Sequence, residues 1–424
     1  MHSGALSGFI ASVNKCGGSF SALHDLVEKS HDVLLRNAAA LDNLFDSYEI
    51  SKFTCLHAAI LRAKYLSQLV LNKDTLLIQT TSFFEQCDPE HAKKVSVHVR
   101  TISQEFTSRL ILWGLALRGI QPLITVICKL QRSPEQLTAL HSDLCQQLAL
   151  SARLFKPVLP ILDVDILEVD KNYSFVDIKD YLLYFYYGGM IYAALKKWER
   201  ALHFFELCLI VPSYSLSCIL IEAAKKVILI SLIFNGKFTT ILEVPTPHFI
   251  SPKPWKRYCQ PYLALASAFQ KNDPDALTFV VDSNRDAFAA DYNFGLVKQV
   301  IKSHVKFRIH NLTKTFMTLS LSDVANRVRL TSAQEAERYL VEMIESKAIF
   351  ARVDQRDGTV YFLDDPEQFN SMEMFLTLQK KIEDCVSLEK HLMRVCDQLV
   401  ESPSYARKML ELESKASKTT TSHY

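Results

Sequence analysis

The amino-acid sequence predicts a mainly α-helical protein: a solenoid of helical repeats, then a winged-helix module with a small β-hairpin sheet, then one C-terminal helix. Three observations predict it. Only 11 glycines and 14 prolines fall in 424 residues, which favours long helices over a many-turned all-β chain. Apolar residues recur at spacings of three and four with short breaks between, the pattern of antiparallel helix pairs. Between Asn293 and Phe362 three helical patterns run into a segment of period two.

Residues 1–177 read as N-terminal helical repeats, with patterns and breaks alternating from about Ser19 to Asp163. Cys87-Asp88-Pro89-Glu90 starts the long segment His91 to Leu112, with a capping aspartate and a proline where a first turn tolerates it. Ser133 caps a further helix with Pro134 in its first turn and Leu137, Leu140, Leu144, Cys145 and Leu148 along one face. Pro157 and Pro160 then break the pattern.

Residues 178–292 carry the clearest repeat. Phe185, Gly189, Tyr192, Ala201, Phe205 and Pro212 follow the tetratricopeptide (TPR) spacing, while the breaks around it are irregular enough to admit HEAT-like pairs. Gly189 and Ala201 are small because two helices cross there, and Tyr192, Trp198 and Phe205 fill the space to the next pair. Gly188 departs from the pattern, which prefers leucine. The aromatic run Tyr181, Tyr184, Phe185, Tyr186, Tyr187 covers more than one helix face and reads as core rather than as a stacking platform. Asn235-Gly236-Lys237-Phe238 reads as a turn, and the prolines from Pro245 to Trp255 read as a surface loop. Helical pattern resumes at Tyr258 to Phe269 and DPDALTFVV, and reaches a long helix at Phe294 to Leu312.

Residues 293–365 form the winged-helix module. Ser320 caps a short second helix through Val328, and Thr331-Ser332 cap the third, Ala333 to Ser346. Ile349, Ala351 and Val353 then alternate with Phe350, Arg352 and Asp354, Asp357-Gly358 turns, and Val360 and Phe362 return. A DNA-reading third helix should carry lysine or arginine next to phosphates. This one carries Glu335, Glu337, Glu342 and Glu345 against Arg338 and Lys347, and Arg352 and Arg356 of the wing are offset by Asp354 and Asp357. The charge opposes direct nucleic-acid binding, whereas an unpaired hairpin edge can extend a neighbour's sheet.

Residues 371–400 make the last helix. Phe375, Leu378, Ile382, Cys385, Leu392, Cys396 and Leu399 alternate steps of three and four, with Glu389 in the seam. Such a helix seeks partners. Ile349, Phe350, Val353, Val360 and Phe362 of the wing, with Phe375, Leu378, Ile382, Leu392 and Leu399, are the expected assembly residues. Residues 401–424 read as a disordered polar tail.

Chemistry is scarce by comparison. A net charge of +2 from 48 basic and 46 acidic side chains creates no global field for polyanions or membranes. None of the ten cysteines forms a C-x2-C pair, and Cys55, Cys128, Cys145 and Cys208 lie in apolar helical runs as plain buried thiols. His304 and His310 are six apart, unsuited to a helical metal pair. No phosphate cradle or nucleophile elbow appears, so no catalytic, metal or cofactor residue is expected. The start lacks a signal-peptide pattern, and the apolar runs Leu110 to Leu117 and Val227 to Phe234 are about half a membrane span. A soluble protein of the reducing interior is expected, with no membrane partner.

DYNFGLVKQ at Asp291 to Gln299, LTKTFMTLSLSDVANRV at Leu312 to Val328, AQEAERYLVEMIE at Ala333 to Glu345 and DGTVYF at Asp357 to Phe362 resemble the PCI-domain scaffold subunits of the COP9 signalosome, within them the subunit 3 family. LTALHSDLCQ, YYGGMIYAALKKWERAL and LIFNGKF resemble the same family. The likeness runs from about Leu137 to Phe369 and is weaker over the first hundred residues. It implies a non-catalytic subunit, without cofactor, of a cytoplasmic and nuclear complex that removes Nedd8 from cullins and so regulates cullin-RING ubiquitin ligases. Catalysis in such complexes belongs to a zinc metalloprotease subunit with an H-x-H pair, which this sequence lacks. The implied partners are other signalosome subunits, met through the winged-helix edge and a C-terminal helical bundle, and cullin-RING ligases through the complex. A PCI subunit of the proteasome lid is the nearest alternative, and a winged-helix nucleic-acid binder the more distant one.

Overall fold

The computed structural model describes residues 2–17, 19–67, 72–144, 149–169, 176–211, 217–238, 253–364, 371–403 and 405–411. They divide into two compact units, residues 1–309 and 310–424. The first unit opens with α1 (His2–Cys16), α2 (Phe20–Lys29), α3 (His31–Arg36) and α4 (Leu41–Ser47). At its centre stands α5 (Thr54–Leu66), whose residues are buried except Arg62 and Leu66. Burial all round needs polar groups to be answered: Lys64, 1% exposed, reaches Asp42 Oδ1 at 2.5 Å and Gln79 Oε1 at 2.7 Å. Asp42 is itself half exposed, so the costly change is its removal, which leaves the Lys64 ammonium buried with Gln79 as its remaining hydrogen-bond partner.

α6 (Lys73–Gln86), α7 (Pro89–Lys94), α8 (Ser96–Leu112) and α9 (Ala116–Leu130) follow, α8 against α5 and α9 against α6. Asp88 does cap, accepting from the Glu90 amide at 3.2 Å. The segment expected to be continuous from His91 is broken at Val95, where φ is −104° and ψ 27°. The helix expected from Pro134 is also displaced. Residues 134 and 135 form a turn, Gln136 bridges Glu168, and the Leu137 amide donates to Glu168 O at 3.0 Å. Gln131 donates to Gln136 O at 2.8 Å and Gln136 Oε1 accepts from the Arg132 amide at 2.9 Å. These partners hold the backbone out of the helix, so α10 (Leu140–Asp143) starts only at Leu140; the expected face residues Cys145 and Leu148 lie outside the described residues. Cys128 is exposed, not buried, because α9 turns Val126, Ile127 and Leu130 inward instead. Cys55 and Cys208 are buried as expected, with burial pushing the Cys55 thiol up to about 11.

After α11 (Leu159–Leu162) comes the repeat pair α12 (Ile178–Ala194) and α13 (Trp198–Ile210). Asp177 and Asp180 cap α12 reciprocally. A Cβ on Gly189 would stand 2.8 Å from Phe205, and one on Gly188 2.6 Å from Phe204. Tyr184 and Phe185 are buried, with Tyr181, Tyr186 and Tyr187 half-buried against the same core. α14 (Cys218–Phe234) packs on α13 and ends in a turn whose Gly236 has φ +65° and faces the Phe307 ring. α15 (Lys253–Tyr258) begins inside the segment expected to be loop up to Trp255, because Pro254 in a first turn needs no helical N–H partner; residues 245–252 lie outside the described residues. α16 (Gln260–Gln270), α17 (Pro274–Ser283) and α18 (Arg285–Ala290) continue the array, and α19 (Phe294–Thr313) begins in it. Each of α12, α13, α14, α16 and α17 packs on the next, the nearest-neighbour order of a solenoid.

In the second unit the order is β1 (Thr318–Ser320), α20 (Leu321–Val328), α21 (Ala333–Glu345), β2 (Ala351–Asp354), β3 (Thr359–Phe362) and α22 (Met372–Glu401). The hairpin expected from period two is part of a three-stranded antiparallel sheet in the order β1-β3-β2.

Candidate assembly surfaces

The winged helix is built by its caps. Ser320 Oγ accepts from the Asp323 amide at 3.0 Å to start α20, and Ser332 Oγ accepts from the Glu335 amide at 3.2 Å to start α21. The Thr331 hydroxyl and amide hold the Glu335 carboxyl below its usual range. Ala336, Leu340 and Met343 of α21 turn inward. Its other side is a shallow groove of about 450 Å³ in which Glu337, Glu342, Glu345 and Arg338 surround Val341. A surface that acidic repels phosphates.

The sheet separates two kinds of wing residue. Val360 pairs with Leu319 on one side and Val353 on the other, and Phe362 pairs with Ala351. Ile349, Val360 and Phe362 are buried, Phe350 and Val353 half-buried. Of the expected assembly residues, the side chains of Ile349, Val360 and Phe362 therefore fill the module's own core and are not open to a partner. What the wing offers is main chain. The Leu363 amide donates to Phe350 O at 2.8 Å, so in this register Phe350, Arg352 and Asp354 bond to β3 while the N–H and C=O of Ala351 and Val353 point away from it. On the opposite face Arg352 and Tyr361 are exposed.

α22 is a different kind of surface. Ser371 caps it, accepting from the Met374 amide at 3.2 Å, and it runs for 30 residues, about 45 Å at 1.5 Å per residue. None of its residues is buried. Phe375, Leu378, Ile382, Leu392 and Leu399 are 52–60% exposed. The helix does not fold back on the winged helix. The flanking positions are apolar too: Val386, Met393 and Val400 one step after the seam, Leu388 and Val395 on its other side. These were missed by a strict seam reading, although their seven-residue recurrence is visible in the sequence. A stripe that wide exceeds what one partner helix covers and suits a bundle.

Among the described residues no group of three His, Cys, Asp or Glu side chains is placed to hold a metal ion, and no helix is long and apolar enough to cross a membrane. His304 is buried with its ring 4.9 Å from that of Phe269, and burial pulls it down to about 4. It serves as a packed core residue.

Helical repeats followed by a winged helix whose open groups are main chain and a helix stripe define the PCI class of protein. Residues 281–364 match the PCI domain, and residues 17–248 match the N-terminal helical repeats of COP9 signalosome complex subunit 3. The chain is 35% identical to COP9 signalosome complex subunit 3 of Drosophila melanogaster, over 96% of this chain and 95% of the relative. It is 34% identical to the Arabidopsis thaliana protein of the same name, over 94% and 92%. The chain belongs to the COP9 signalosome subunit 3 family.

Proposed function

We propose that this chain is a non-catalytic scaffold subunit of a COP9 signalosome, cytoplasmic and nuclear, which supports removal of Nedd8 from cullins and thereby regulates cullin-RING ligases. In this reading residues 1–177 are the N-terminal repeats, 178–292 and 293–365 the two halves of a PCI domain, and 371–400 an assembly helix. The observation that carries it is α22, 30 residues long with no buried side chain. An apolar side chain such as leucine gains about 2 kcal/mol on full burial, so a stripe of this width strongly favours partners. The β2 edge adds main-chain hydrogen bonds to a neighbouring sheet.

Native mass spectrometry of the assembly purified through this chain tests the reading. Co-purification of signalosome subunits in fixed stoichiometry, with Nedd8-removing activity in the complex, is expected. Recovery of proteasome-lid subunits instead, or of the chain alone, would overturn it.

A further inference from the structure

Lys226 stands in the wall of a cleft of about 600 Å³ formed by α12, α13, α14 and the turn between α18 and α19, all in the first unit. Its residue is only 8% exposed. A lysine ammonium carries three donors, yet this one donates a single hydrogen bond, to Asn293 Oδ1 at 3.2 Å. Glu222 Oε2, at 3.8 Å, is in ion-pair range but beyond hydrogen-bond reach.

The neighbouring carboxylates are engaged elsewhere. Lys225 Nζ lies 2.6 Å from Glu222 Oε1 and 2.8 Å from Asp291 Oδ2. Tyr262 OH donates to the same Asp291 oxygen at 2.7 Å, and Asn293 Nδ2 donates to Tyr262 OH at 3.0 Å. This connected network fixes the polar wall, and the Lys226 ammonium, 5.2 Å from the Tyr186 ring centroid, is left with fewer hydrogen bonds than it has donors. Half-buried Tyr186, Met190, Ala193 and Leu296 supply the apolar lining, over a floor of fully buried Phe205 and Ile230, a mixture and size typical of a ligand site.

At the rim is Tyr292, 96% exposed with φ +56°. A bulky residue in the left-handed region is strained. Asn293, which tolerates that conformation better, is the next residue but is buried in the network. The strained position is thus occupied by an unpacked aromatic ring beside the cleft.

We infer that this cleft binds an extended segment of another polypeptide, which brings a carboxylate to Lys226 and lays an adjacent large apolar side chain among Tyr186, Met190, Ala193 and Leu296, with Tyr292 as the rim contact. The carboxylate belongs to an aspartate or glutamate side chain or to a chain terminus. Burial pulls the Lys226 amine below its usual range, and a bound carboxylate offsets that cost.

Selection of a random octapeptide display library on the full chain tests this, with peptides in two formats, one with both ends blocked and one with a free C-terminal carboxylate. Enrichment of Asp or Glu beside Leu, Ile, Met or Phe in the blocked format identifies the side-chain source. Enrichment of apolar C-termini in the free format identifies the terminal one. Lys226→Met should cut retention of the selected peptides at least ten-fold. Ala194→Trp, which plugs the cleft from an exposed position outside the polar network, should do the same with an unchanged melting temperature, and it decides the matter if Lys226→Met fails to fold. Retention within two-fold for a folded variant, or enrichment without carboxylates, would overturn the inference.

Discussion

Gly188 has room for a hydrogen and little else, since a Cβ there would stand 2.6 Å from the buried Phe204 ring. Gly188→Leu, which would restore the usual repeat residue, should therefore destabilise by about 3 kcal/mol or more, read as a fall of several degrees in melting temperature. The repeat spacing made Gly189 legible but not Gly188. The reason is Phe204, one position before the expected Phe205, which packs across the pair where no local pattern reaches it. A second residue-scale feature was equally hidden. Asp143 is buried beside Asp180, near Arg100, with the Ser103 hydroxyl 3.5 Å away, and burial followed by the Asp180 charge pushes its carboxyl up to about 7. Buried His141, edge-on to Tyr184 at 5.6 Å, is pulled down to about 4. The two act in opposite senses. The raised Asp143 contributes stability that is full below its unfolded value and is lost as pH rises through 7. The depressed His141 contributes stability present above about 6.5 and lost as pH falls towards 4. Asp143→Asn should thus gain stability relative to the unsubstituted chain between pH 5 and pH 8, measured as the difference in denaturant midpoint at each pH. A difference that stays flat would contradict that charge assignment.

Among the elements, helices with side-chain caps were the most legible. Asp88, Ser320, Ser332 and Ser371 each accept an amide of their own first turn, a local interaction written within a few residues. The misplaced starts were those decided at long range: Gln136 meets Glu168 across the chain, and no spacing announces it. β1 was missed because it has only three residues and pairs with a strand some forty positions later. The wing was legible as a hairpin, but which groups it leaves open depends on the register. That register yields a prediction. Val353→Pro removes an N–H that faces away from β3, so the second unit should keep its melting temperature within about 1 °C while the edge loses its capacity to extend another sheet. Affinity for the neighbouring subunit, measured by biolayer interferometry, should fall at least ten-fold. Unchanged affinity would show that the β2 edge is not used.

For the whole molecule, a nearly neutral chain carries its asymmetries locally: an acidic groove on α21 and an apolar stripe on α22. Both were legible as residue types, because helix periodicity places side chains on faces without knowledge of tertiary contacts. That no described residue buries α22 was not legible, since a heptad pattern serves an internal partner as well as an external one. The central claim is that α22 is an assembly element rather than part of the chain's own core. Leu378→Asp, Ile382→Asp and Leu392→Asp combined in one full-length chain, followed by native mass spectrometry of whatever it brings down, test it most directly. The account predicts an unchanged melting temperature, since these side chains are 52–56% exposed, and loss of the chain from the stoichiometric assembly. Incorporation at the level of the unsubstituted chain would contradict it.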